Sequence, residues 1–220
     1  LKREKKIKRI LKIILLVLIL LLLLLYFVVG IVYNRGNFSI TLDRNLYFDR
    51  GLIIYDDPEY KVYRSELYAE APNTFDDIAS SWLPSNIASL GGGSHNGDNY
   101  LAYTFYIENI GPEVADYWSE IVIDDVIRNV DDAVRIRLYK NGEFATYAKL
   151  AENGENEPNT VAFLADDLVM REHTENFAPG DVDEYTIVHW LEGNAPECTD
   201  NILGGEFKVH MKFNSEYVED

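Results

Sequence analysis

Twenty-one consecutive residues, Ile13 to Tyr33, carry no charge. A helix rises about 1.5 Å per residue, so roughly 20 apolar residues cross a hydrocarbon core of about 30 Å. Such a helix satisfies every backbone polar group internally, as lipid requires. A core helix of a soluble protein would instead show a polar face. The run therefore predicts one transmembrane helix over 13–33. Its N-terminal flank, 1–12, holds seven Lys and Arg against Glu4 alone. Cations crowded at one end keep that end in the cytoplasm, which sends residues 34–220 outside. Tyr26 and Tyr33 lie toward the outer end, where amphipathic rings favour the interface. The competing reading is a cleaved signal peptide. Its apolar core is usually shorter, about 7–15 residues, and ends in a small-residue site. Val28-Val29-Gly30 is the nearest substitute here.

The chain's net charge is −17, and the basic flank makes the remainder more negative still. That excludes nucleic acid as a partner and disfavours anionic lipid headgroups. Cys198 is the single cysteine, so no internal disulfide forms. Small secreted eukaryotic domains generally rely on disulfides, and a disulfide-free exported domain points to a bacterial surface.

Beyond the helix, strand signals dominate. Fifteen Tyr and ten Phe, with many Val and Ile, favour pleated, half-buried surfaces. Phe38–Leu42 and Leu46–Tyr55 are strand-like, the second broken near Gly51. Tyr60–Tyr68 reads as a strand or an irregular edge. Thr74 is placed as the N-cap of a short helix limited by Pro84. Gly91–Gly97 reads as a flexible loop. It lacks the spacing of a phosphate-binding loop.

Tyr100–Asn109 alternates strictly, with Leu101, Tyr103, Phe105 and Ile107 on one face. Tyr117–Ile123 and Val134–Tyr139 come next, the latter with Arg135 and Arg137 outward. Asn141-Gly142 suits a two-residue hairpin turn returning through Glu143–Leu150. Val161–Met170 reads as a strand followed by a helical turn. Tyr185–Leu191 is apolar enough to be buried on both faces, and Glu206–Phe213 closes the domain. The predicted fold is all-β, an antiparallel β-sandwich or jelly roll over 34–220, with 38–96 left open as a partly separate cap.

Three stretches carry a family resemblance: Gly97–Phe105 (GDNYLAYTF), Phe177–Asp181 (FAPGD) with Tyr185–Val188 (YTIV), and Trp190–Cys198 (WLEGNAPEC) leading to Leu203-Gly204-Gly205. Over about residues 97–213 the chain resembles Gram-positive envelope proteins of the TasA/camelysin type. The resemblance implies a jelly-roll sandwich exported across the membrane, with an envelope or matrix role and, in some members, fibre assembly. The intact apolar anchor departs from that pattern and bears on release and fibre formation.

The camelysin branch has been regarded as metalloproteolytic, which directs attention to histidine. The four are His95, His173, His189 and His210, and none forms the HExxH pattern of a zinc protease. His189 and His210 lie on predicted strands that a sheet could bring together. Serine-nucleophile signatures are absent. Glu197 and Asp200 beside Cys198 raise a thiol's pKa instead of activating it. Adjacent acids are frequent, as composition alone dictates.

The sequence therefore assigns no catalytic, cofactor-binding or metal-ligating residue. Structural calcium stays open at the acidic loops Asp181–Glu184 and Glu197–Asp200. Trp190–Gly193 and the Tyr100/Tyr106 face read as packing first and as binding surface second. The expectation is a non-enzymatic, membrane-anchored envelope protein for adhesion, assembly or partner binding. Its rivals are a secreted matrix or fibre subunit and a metal-dependent surface hydrolase.

Overall fold

The computed structural model describes residues 2–33, 38–72, 75–151 and 153–215. The chain divides into two units, residues 1–35 and 36–220.

The first unit is one helix, α1, Lys2–Tyr33. The basic flank continues the apolar helix, which is about 48 Å long in all at 1.5 Å per residue. The stretch Lys6–Val29 is long and apolar enough to cross a membrane. Its leucines and isoleucines are exposed in the chain alone.

The second unit is built from two mixed sheets. In spatial order, one runs through Leu168–Phe177 (β10), Ala115–Ile127 (β6), Glu206–Asn214 (β12), Phe38–Leu42 (β1) and Glu66–Ala69 (β3). The other runs through Leu52–Tyr55 (β2), Tyr100–Asn109 (β5), Val182–Leu191 (β11), Val134–Lys140 (β7), Glu143–Ala148 (β8) and Val161–Ala162 (β9). The two-residue strand Gly93–Ser94 (β4) also pairs with β5.

The antiparallel expectation fails at two pairings. β1 runs parallel to β12, with Phe38 opposite Val209, and β8 runs parallel to β9. Residues 38–96 supply β1 and β3 to one sheet and β2 and β4 to the other.

A single apolar cluster draws on both sheets. Phe213 of β12 meets Phe105 and Tyr185 edge-on at 5.9 and 5.5 Å. The alternation along β5 carries through, since Leu101, Tyr103, Phe105 and Ile107 all join this cluster. At the β7–β8 turn, Asn141 and Gly142 both take positive φ, 53° and 87°. A left-handed pair of this kind matches the twist of the strands that it joins.

β11 is buried on both faces for a specific reason. Tyr185, Ile187 and His189 face inward, while Val188 and Trp190 pack on the other side against Ile78, Leu83 and Ile87 of the 76–92 strap. That strap holds 3₁₀ turns at Ser80–Trp82 and Ile87–Ser89 in place of the expected helix. The expected cap, Thr74, lies outside the described residues.

Other differences are local. Leu46–Arg50 is a π-helical turn before Gly51. In place of the predicted helical turn near Met170 stands the start of β10. Arg135 alternates away from the core yet is buried, because its Nε donates to Glu157 at 2.6 Å.

Candidate functional site

The histidines lie in four different settings. His189 sits in the core opposite Leu101 and Ile136, its ring edge-on to Phe38 at 5.1 Å. Burial alone pushes its pKa down to about 3, and its Nε2 has no hydrogen-bond partner among the described residues. His210 lies on β12 of the other sheet, with Nδ1 2.9 Å from Asp124 Oδ1. A bulge opposite Lys208 and Val209 places Asp124 there. The two imidazoles entertained as a pair therefore belong to different sheets. His173 stacks on Trp118 at 4.2 Å. His95 Nδ1 is 3.1 Å from the Gly93 carbonyl oxygen, and burial lowers its pKa.

The acidic loops diverge in the same way. Asp181 Oδ2 accepts from the Ala178 amide at 2.8 Å, closing its own turn. Asp183 points inward to Tyr117 and Asn141. No group of three or more His, Cys, Asp or Glu suited to a metal is gathered among the described residues. The Cys198 thiol is pushed up, first by burial and then by Asp77 and Glu192. The direction matches the sequence expectation, but the charges come from elsewhere in the chain.

Glu192, within the Trp190–Gly193 stretch, anchors the strap. Its buried carboxylate accepts from the Ser80 amide at 3.0 Å and the Trp190 indole N–H at 3.1 Å. Gly193 runs close to Asp77, where a Cβ would lie 2.3 Å from Oδ2. On the Tyr100/Tyr106 face, Tyr106 stacks on Tyr55 at 5.3 Å, and Tyr100 packs against the strap cluster. The Tyr55 hydroxyl donates to Glu108 at 2.9 Å. Burial, helped by that carboxylate, pushes its pKa up to about 12.

Sequence reasoning missed two constellations. The first is a polar seam between the sheets. Tyr117 of β6 donates to the Asp183 carboxylate of β11, and the Tyr117 and Tyr185 hydroxyls are 3.0 Å apart. Lys140 Nζ donates to Glu172 and Thr174 of β10, each at 2.7 Å. Burial alone works against the Lys140 ammonium, but the Tyr185 oxygen, Glu172 and Asp183 outweigh it and raise its pKa. Burial also raises the Tyr117 hydroxyl. Both tyrosines are fully buried, so the seam acts as a brace.

The second is an open groove of about 490 Å³ between the turn after β2, the end of β3 and the 94–96 loop. Tyr103 forms its floor and donates to Asp56 Oδ2 at 2.7 Å. Asn96 fixes the wall, donating to the Glu70 carbonyl oxygen at 2.6 Å and accepting from the Ala102 amide at 2.8 Å. Gly92 lies so close to Asp56 that a Cβ would come 1.9 Å from its carbonyl oxygen. The remaining lining includes Tyr68, Ala71, Pro72 and Ser94. No local sequence signal joins these residues, which come from four separated places in the chain.

No family model matches the chain, and no curated protein matches it at a significant level. Among solved structures, two of the β-glucosidase from Kluyveromyces marxianus are similar over 77% of this chain. The complex with glucose is 13% identical at a TM-score of 0.24, and the selenomethionine-labelled form is 15% identical at 0.27. This chain spans 15% and 17% of those chains. Likeness at that level carries no argument for fold or chemistry.

Proposed function

We propose that the chain is a membrane-anchored cell-envelope protein of the TasA/camelysin type. Its helix stays in the bilayer with the basic end in the cytoplasm. Its acidic β unit, a sandwich of jelly-roll type, stands outside and serves adhesion, assembly or partner binding without enzymatic activity. The observation that carries this reading is the order of elements along the chain. An uncharged helical run, with seven cations on its N-terminal flank against Arg35 just past its other end, precedes a disulfide-free β unit.

The β unit adds support through its chemistry. Several of its polar side chains are engaged in bracing: Tyr117 with Asp183 across the seam, Glu192 with Ser80 at the strap, and Glu120 with Lys212 at 3.0 Å. Such side chains hold a scaffold in shape and give binding surfaces a rigid frame.

The test is topological. A C-terminal tag on intact cells is digested by added protease if the β unit is outside, and it pellets with membranes if the helix is retained. A tag that stays protected and fractionates with cytosol overturns the reading. A mature chain beginning near Ile31, read by mass spectrometry, establishes release by signal peptidase in place of anchoring.

A further inference from the structure

The geometry points to the groove floored by Tyr103 as a binding site for a neutral saccharide. Its volume, about 490 Å³, lies within the range of small-ligand sites, roughly 300–1,000 Å³. Its lining is divided in character. Tyr68, 44% exposed, with Ala71 and Pro72 offers apolar surface, while Asp56, Glu70 and Ser94 offer polar atoms.

Acceptors dominate the polar part. A carboxylate holds about four lone-pair sites, and Asp56 commits Oδ2 to Tyr103. The Glu70 side chain is exposed, while its backbone carbonyl is already taken by Asn96. The frame is held before any ligand arrives, since both ends of the Asn96 amide are engaged. Preorganisation of that kind lowers the ordering cost of binding.

Physical chemistry narrows the occupant. Two carboxylates line the groove against one nearby cation, Arg64, which acts on Tyr103; in a chain of net charge −17 the balance disfavours anions. A purely apolar ligand would strip water from Asp56 and Glu70 without replacing its hydrogen bonds. A bare cation would leave the apolar half unused. A pyranose ring fits both halves: its C–H face lies on Tyr68, Ala71 and Pro72, and its hydroxyls donate to Asp56 and Glu70. An open groove also suits a chain of sugars with both ends free. Binding is read on soluble sugars, so it holds or fails independently of which side of the membrane the β unit occupies.

The test uses the full chain in phosphocholine-lipid nanodiscs, since glycoside detergents would compete. Cellohexaose, mannohexaose and the N-acetylglucosamine hexamer are titrated calorimetrically to about 10 mM, a range that covers weak single-site binding. Hexalysine and calcium chloride are titrated alongside. At least one sugar binds, and Tyr68→Ala and Glu70→Gln each weaken it by roughly tenfold. Tyr60→Ala, an exposed tyrosine outside the groove, leaves it unchanged. Thermal unfolding verifies that each variant is folded. The proposal is overturned if no sugar binds, if Tyr68→Ala and Glu70→Gln leave sugar affinity intact, or if the groove variants abolish binding of hexalysine or calcium instead.

Discussion

The Tyr117 hydroxyl donates to the Asp183 carboxylate across the space between the two sheets, 66 residues apart in the chain. This contact ties β6 to β11, and the adjacent Tyr185 hydroxyl at 3.0 Å extends it. Removing the hydroxyl leaves a buried carboxylate short of one donor, although Asn141 Nδ2 still reaches Asp183 at 2.7 Å. Tyr117→Phe should therefore cost about 1.5–3 kcal/mol, the usual range for a hydrogen bond to a charged group. Urea unfolding of the variant against the parent measures it, and an unchanged midpoint refutes the brace.

Acid should unfold this protein partly through His189. Its folded pKa is depressed to about 3 by burial, against roughly 6.5 in the unfolded chain. Between those values the unfolded state binds the extra proton, so stability is complete above about pH 6.5 and falls as pH drops toward 3. The slope from this one group is about 1.4 kcal/mol per pH unit. Carboxylates titrate in the same window, so the informative quantity is a difference. His189→Phe should flatten the decline in unfolding free energy between about pH 6.5 and 4 relative to the parent. Parallel curves exclude His189 as the cause.

Glu192 should control the strap over the outer face of the second sheet. Its carboxylate accepts from Ser80 and Trp190, and Glu192→Ala leaves those donors unpaired in a buried setting. The expected loss is about 2–4 kcal/mol. Hydrogen exchange should speed up over residues 78–90 more than in β6 or β12. Uniform acceleration throughout would show that the strap has no separate stability.

The β7–β8 hairpin gives a backbone test. Gly142 holds φ at 87° with open space around an added Cβ. Gly142→Val should thus cost through conformation alone, by about 1–3 kcal/mol. Thermal melts report it, and a neutral result means that the turn adopts another form.

Much of the fold is legible in the sequence because it is local. β1 and β5 begin and end where the alternation predicts, and Asn141-Gly142 makes the expected turn. The hidden parts depend on partners distant in sequence. β10, which reads partly as helix, is an edge strand whose polar residues lie on both faces, Arg171, His173 and Glu175 on one and Glu172 toward Lys140 on the other, which blurs its alternation. β4 and β9 have two residues each, too few for any period. Arg135 keeps the strand period but is covered by Glu157 from a loop. The seam and the groove are invisible for the same reason. Lys140 meets Glu172 and Asp56 meets Tyr103 only after the sheets have assembled.

The parallel pairing of β1 with β12 carries a temporal consequence. β12 lies between β6 and β1 in its sheet, so the strand that follows the other described strands in sequence occupies an interior position. Phe38 waits for Val209, and the sheet stays split until residues 206–214 are free to insert. A nascent chain emerging in order from Phe38 is therefore without a finished hydrophobic core until residues 206–214 arrive. A premature stop before residue 206 would leave two half-sheets with exposed hydrogen-bonding edges. Strand-completion from both flanks at once makes the delivery of β12 the event that closes the structure.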